Sequence, residues 1–202
     1  MPSSISDRCL VVVIDMHEGH IGPRATIPAP KPAVDAMLPV LERLLEGARA
    51  AAMPIIHVRY EAVDGIHNEH PAWDKRWART HCTQGSATTE FVVHPRAGDY
   101  VIEAKRTYNC FAYTDLELYM KRLGRDTLVI TGIASDCCCL ATAFGANDLH
   151  YAAIAISDCQ VGMSSSSHDA ALGIVNAMLG RVMMADEFLA HLPGTFQRQG
   201  AA

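Results

Sequence analysis

The chain has little that would hold a polyanion or enter a bilayer. Its 202 residues carry 17 basic and 22 acidic side chains, a net charge of −5. There is no basic stretch to follow a phosphate backbone, so nucleic acid is not an expected partner. Hydrophobic runs are short: "CLVVVI" and "TLVITGI" stop far below the ~20 apolar residues of a membrane span. The opening "MPSSISDRCL" has no charged-then-apolar signal segment. Seven cysteines without an export signal suggest a reducing compartment and free thiols rather than a disulfide framework. The expected location is the cytoplasm. No internal repeat and no dividing linker is visible, so residues 1–202 are expected to form a single domain. Half of the residues are hydrophobic, enough for a sizeable core at this length.

The pattern along the chain alternates strand and helix. "CLVVVIDM", residues 9–16, is a continuous apolar run ending in an acid, as expected for a strand buried on both faces of a parallel sheet. "KPAVDAMLPVLERLLEGARAAAM" follows, with Val34, Leu38, Leu41, Leu45 and Ala48 at helical spacing. "PIIHVRY" reads as a second buried strand, which completes a βαβ unit. Residues 61–98 are long and irregular and hold both tryptophans and several of the histidines, the composition of a lid or specificity loop. The alternation then resumes. "DYVIEA" is a strand, "AYTDLELYMKRLG" a helix closed by Gly124, and "DTLVITGI" a strand. "CCLATAFGANDLH" is a helix, "YAAIAISD" a strand, "HDAALGIVNAMLG" a helix, and "RVMMADEFLAHL" a last strand with a tail helix. The serines of "MSSSSHD" are placed to cap the helix after them. This order predicts an α/β fold: a three-layer, doubly wound, Rossmann-like, mostly parallel six-stranded sheet with helices on both faces.

In such sheets ligands sit beyond the carboxyl ends of the strands. The first strand ends at Asp15. The third ends near Glu103, with Lys105 just after it. The fourth ends at Gly132, and Cys137, Cys138 and Cys139 open the next helix. Ser157, Asp158 and Cys159 end the fifth. An acid, an amine and a thiol at one sheet edge make chemical sense together. A thiol attacks as thiolate and ordinarily titrates near about 8.5; a helix N-terminus and a nearby ammonium both favour the thiolate. The acid can take the thiol proton and later deliver it to a leaving amine. Each piece also has a plain reading. An Asp after a strand often shapes a turn, a loop Lys is usually solvated, and a buried Cys is usually packing.

Three segments in order, "LVVVIDMHEGH", "VIEAKRTYNCFAYTDLE" and "LVITGIASDCCCLATAFGA", resemble those of the isochorismatase-like cysteine hydrolases, the superfamily of nicotinamidases and N-carbamoylsarcosine amidases. The resemblance runs from about Cys9 to Ala185. It implies a catalytic set of Asp15, Lys105 and Cys138, with Cys138 six positions after Gly132. It also implies a cis peptide at Ala134–Ser135 that aims the Ala134/Ser135 backbone, beside the N–H of Cys138, at the substrate oxygen. Successive helix residues point about 100° apart, so the three cysteines cannot all face one pocket; the resemblance turns Cys138 toward it and implies that Cys137 and Cys139 are small core hydrophobes. Adjacent cysteines lack metal-ligand spacing, and a disulfide between neighbours is disfavoured by geometry.

Certain positions depart from the family pattern. His17 stands where the family commonly has Gln, with Glu18 and His20 close by. The spacing of His17 and His20 is compatible with metal ligation, and equally with lining the pocket mouth. Asp64, His67 and His70 do not match a nicotinamidase metal pattern. No required metal and no cofactor is therefore expected. Asn109, Phe111, Trp73 and Trp77, with His17 and His20, are candidate substrate contacts; Asn109 can instead cap a helix and Phe111 start its core. Arg59 and Arg106 are candidates to grip an acidic substrate group. The implied activity is an amidohydrolase acting on a small amide or carbamoyl substrate. Vinyl ether hydrolysis and a non-enzymatic binding or thiol redox module are the alternatives. Relatives are often dimers or tetramers, and "ALGIVNAMLGRVMMADEFLAHL" is apolar enough to serve a homo-oligomer interface.

Overall fold

Six consecutive apolar residues, Cys9–Ile14, form β1, and all six are buried. A strand inaccessible on both faces must be central, and it is: in this computed structural model the sheet order is β3-β2-β1-β4-β5-β6, every pair parallel. Residues 5–62 and 81–193 are described. The other strands are β2 (Ile55–Tyr60), β3 (Tyr100–Lys105), β4 (Thr127–Ile133), β5 (Ala152–Val161) and β6 (Gly180–Met183). The helices are α1 (Ile5–Arg8), α2 (Glu18–Ile21), α3 (Lys31–Ala50), α4 (Leu116–Arg122), α5 (Leu140–Asp148), α6 (Ser165–Ile174) and α7 (Ala185–Ala190). This is the predicted doubly wound α/β sheet. The strand order reverses at β1, which lies between β2 and β4, so the switch point opens between the carboxyl ends of β1 and β4.

Alternation along the strands feeds two cores. Cys9, Val11 and Val13 of β1 pack with Val34, Met37, Leu41, Leu44, Leu45 and Ala48 of α3 and with Phe188 of α7. Leu10, Val12 and Ile14 pack on the opposite face with Leu116 and Met120 of α4, Ala143 and Ala146 of α5, and Val175 and Leu179 just beyond α6. The period of two in the strands thus separates the layers. Leu38, read as core, is only partly buried at its margin, and Met37 and Leu44 carry the stripe beside it. Ser164 caps α6 by accepting from the Ser167 N–H, closing a capping box within the serine run.

Two boundaries differ from the sequence reading. Lys105 is the last residue of β3 and not the first after it. Ser157, Asp158 and Cys159 do not end β5, which continues to Val161 through an irregularity: Ile130 faces Ala155, but Gly132 faces Gln160. The Gln160 carboxamide fills that bulge by donating to the Ile130 carbonyl at 2.9 Å. Asp158 instead fastens α7, accepting from the Ala185 N–H at 2.8 Å. Of residues 61–98, the described part holds a 3-10 turn at Ala87–Thr89 and two isolated bridges, His17 with Phe91 and Ala62 with Thr83.

Candidate active site

Backbone geometry at the switch point determines what faces it. Asp15 follows β1 with φ of 52°, a left-handed conformation that Asp tolerates better than most residues. Gly132 has φ of 109°, and a Cβ there would stand 2.1 Å from the Ile14 carbonyl oxygen, so only glycine lets β4 pass β1 this closely. A cis peptide follows at Ile133–Ala134. It lies one residue earlier than the sequence placed it, because β4 runs through Ile133 and the helical turn already begins at Ser135. That turn, Ser135–Cys139, is wound as a π-helix before α5. The Ala134 carbonyl accepts from the N–H groups of Cys137 and Cys139, each at 3.0 Å, and is taken up inside the turn.

Three strand ends bring Asp15, Lys105 and Cys138 together. The Lys105 ammonium lies 2.7 Å from Asp15 Oδ2 and 3.6 Å from the Cys138 sulfur, and it donates to the Thr107 carbonyl at 3.0 Å. Asp15 and Lys105 are fully buried and Cys138 is 6% exposed, so these charges act in a low-dielectric setting. Burial pushes the Asp15 carboxyl upward, but the Lys105 ammonium, His17 and hydrogen bonding with Cys138 outweigh it, and the carboxyl sits below its ordinary range. Burial works against the Lys105 charge, yet Asp15 and Cys138 hold its pKa above the ordinary value. The Cys138 thiol is raised well above its usual range by a hydrogen bond with Cys137 and by burial, with Lys105 opposing. Lys105 pulls toward the thiolate, as the sequence leads one to expect, while Cys137 and burial pull the other way.

The neighbouring cysteines divide. Cys139 is core, with its thiol directed at the Thr131 carbonyl at 3.9 Å. Cys137 is not simply a core hydrophobe. It is half-buried, and its hydrogen bond with Cys138 holds its own pKa below the usual value. Among the seven cysteines none is in a disulfide. Ser135 accompanies this turn, its hydroxyl 2.9 Å from His168 Nδ1.

The other candidates separate as clearly. His17 and His20 reach the site's edge: His17 Nε2 is 3.9 Å from Asp15 Oδ1, and the two rings stack at 5.0 Å. His81, which the sequence reading passed over, joins them at ring distances of 5.9 Å and 4.7 Å. Burial holds His17 and His81 neutral, each with a pKa near 3, and lowers His20 as well. Tyr60, at the end of β2, lies between the two groups: its ring stacks on His81 at 5.7 Å, and the Lys105 ammonium is 5.3 Å from its centroid. Nothing local in sequence announces His81 or Tyr60; the one signal was the density of histidines in the long loop.

Asn109 and Phe111 have structural duties. The Asn109 carboxamide accepts from the Phe111 N–H at 2.9 Å and packs against Gly145, while the Cys110 N–H donates to the Thr142 hydroxyl at 3.0 Å. This fastens the lysine segment onto α5. Phe111 is buried and stacks on Tyr151, which follows α5, in the same apolar cluster that holds Cys138. Arg59 donates to the Glu103 and Thr89 carbonyls and covers Phe91, which leaves it committed to holding the loop against β3. Arg106 is exposed. Trp73, Trp77, Asp64, His67 and His70 lie outside the described residues.

This architecture is a known one. The isochorismatase domain family model matches residues 9–187, and the chain belongs to that family. It is 27% identical over 196 residues to the maleamate amidohydrolase of Pseudomonas putida, covering 91% of this chain and 88% of that protein. It is 37% identical over 92 residues to the uncharacterized isochorismatase family protein YwoC of Bacillus subtilis, 46% of this chain and about half (48%) of that relative's length. Among solved structures, a cysteine hydrolase from Pseudomonas syringae pv. phaseolicola superposes with a TM-score of 0.83 over 92% of both chains, at 22% identity, a likeness of fold. The family is one of hydrolases that includes amidases.

Proposed function

We propose that the chain is a cysteine-dependent hydrolase that cleaves the C–N bond of a small amide or carbamoyl compound through a thioester. The observation that carries this reading is the Lys105 ammonium standing between a carboxylate at 2.7 Å and a sulfur at 3.6 Å in a buried site. In the proposed reaction the Cys138 sulfur attacks the carbonyl carbon as its proton passes to Asp15. A C–S bond forms and the carbonyl π pair moves to oxygen. That oxyanion is held by backbone N–H groups drawn from Ala134, Ser135 and Cys138. Collapse breaks the C–N bond, and Asp15 returns its proton to the departing amine or ammonia. A water then attacks the thioester and gives one proton to Asp15; the C–S bond breaks as Asp15 passes that proton to the departing sulfur, which releases the acid, the Cys138 thiol and an ionised Asp15.

Lys105 makes the sequence workable. It keeps Asp15 ionised in the resting enzyme and offsets the negative charge that builds when sulfur ionises beside a carboxylate. The upward pull of burial and Cys137 on the thiol fits a scheme in which deprotonation is coupled to substrate attack. The similarity to a maleamate amidohydrolase over nine-tenths of the chain favours C–N cleavage. A vinyl ether hydrolysis would leave the sulfur without a role.

The test is a screen of small primary amides, maleamate among them, with ureas and N-carbamoyl acids, read as ammonia and in parallel as pyruvate. Ammonia release by the wild type and its loss in Cys138→Ala are expected. Full activity of Cys138→Ala on a substrate so found, or pyruvate in place of ammonia, would overturn the reading.

A further inference from the structure

The reaction above makes no use of the three histidines beside it. His17 caps α2, His20 lies in α2 and His81 comes from beyond β2, so two stretches of backbone deliver three imidazoles to one buried point. Each offers a ring nitrogen within 4.8 Å of the other two. A metal–nitrogen bond of about 2.1 Å sets a ring centroid about 3.2 Å from an ion, and tetrahedral angles then separate two centroids by about 5.2 Å. The three separations found, 5.0, 5.9 and 4.7 Å, straddle that value.

Orientation points the same way. The His20 Nδ1 lies 2.9 Å from the Ile27 carbonyl; a carbonyl only accepts, so Nδ1 carries the proton and Nε2 keeps a lone pair. His81 Nδ1 is paired with the Thr26 hydroxyl at 2.8 Å, and its Nε2 lies 3.6 Å from the sulfur of Cys82, whose thiol is directed at the Thr88 carbonyl. An imidazole whose far nitrogen is tied to a carbonyl or hydroxyl is the usual support of a metal-bound histidine. Both tethers come from the same short loop after α2. The backbone beneath is stripped to match: a Cβ on Gly19 would stand 2.3 Å from the Cys82 sulfur and 3.1 Å from both His17 Nδ1 and His81 Cε1. Cys82 packs against the rings of His17 and His81 at 3.5 and 3.6 Å, its thiol directed at the Thr88 carbonyl.

We propose that His17, His20 and His81 bind one divalent first-row transition ion of the zinc class. Three neutral nitrogen donors with no carboxylate among them select such an ion over magnesium or calcium. The set draws on none of Asp64, His67 and His70. It adjoins Asp15 through His17, and a three-ligand ion keeps a coordination position for water or a substrate atom. This site does not depend on the cysteine-hydrolase reading.

The full-length protein, stripped with a chelator, is titrated with cobalt(II) under visible absorption and with zinc(II) by calorimetry. One ion per chain is expected, with the intense d–d bands of a four- or five-coordinate cobalt site. His20→Gln and His81→Gln should each weaken binding by at least about 100-fold, while His94→Gln, outside the set, should not. Circular dichroism of the metal-free variants establishes that they are folded. Should a histidine variant not fold, Thr26→Val, which removes only the tether of His81, is expected to weaken binding by about 10-fold or more. Failure of the wild type to bind stoichiometrically, or equal affinity in wild type, His81→Gln and Thr26→Val, would overturn the proposal.

Discussion

Lys105 is the residue with most at stake. A fully buried ammonium with one carboxylate partner leaves an uncompensated charge when that partner or the lysine itself is removed. Lys105→Met should therefore cost about 3–5 kcal/mol in urea unfolding at pH 7 and abolish turnover. The penalty has a pH sign. The folded-state pKa of Asp15 is depressed, so the stability it contributes is present above its unfolded value near about 3.9 and is lost as the pH falls through the lower folded value. The gap between wild type and Lys105→Met should shrink on acidification through that window. The three cysteines are separable too. Cys139→Ala should lower stability alone, since that thiol lies in the core. Cys137→Ala removes the hydrogen bond that raises Cys138, so the pH profile for alkylation of Cys138 should move to lower pH. An unmoved profile would mean that the two thiols do not communicate.

At the level of elements, the site exists because β4 passes β1 without a side chain between them. Gly132→Ala would drive a methyl into the Ile14 backbone in a conformation that alanine resists, and should lose activity together with several kcal/mol of stability, on the order of 3 or more. What the sequence disclosed follows from this locality. Asp15 follows one continuous apolar strand and Gly132 lies near the end of another, so run length and punctuation locate them, whereas Cys138 was singled out from its two neighbours by the resemblance. Lys105 was found, like Asp15, from a strand end, displaced only by one strand boundary. Cys137 does pack, half-buried, at the margin of both cores, but position on a helix does not reveal how it acts on the neighbouring Cys138. His81 escaped because its partners precede it by a whole βαβ unit, and no periodicity links an irregular loop to the residues it folds against. The bulge in β5 left no mark in composition, so Asp158 was assigned to a strand end and turned out to hold α7.

The whole molecule carries a pH response of its own. His57, buried in β2 against Asp99, has a folded pKa below the ordinary value because burial outweighs the carboxylate. A histidine kept neutral contributes stability that is intact above about 6.5 and declines as the pH falls toward its folded value, by at most about 1.4 kcal/mol per pH unit. Urea midpoints between pH 7.5 and 5.5 should fall for the wild type and fall less for His57→Gln; equal slopes would contradict this. Ile174, Met178 and Met184 are exposed on the apolar segment read as an oligomer surface. We expect light scattering to report a multiple of 21.9 kDa, and Met178→Lys to shift it toward one chain. The account's central claim is that Cys138 becomes covalently acylated. Acid quench of the enzyme during turnover of an amide found in the screen, followed by intact mass and peptide mapping, tests it directly. The predicted result is a single acyl group in thioester linkage on Cys138, absent in Asp15→Asn. An acyl group on another residue, or steady turnover with no adduct and undiminished rate in Cys138→Ala, would contradict it.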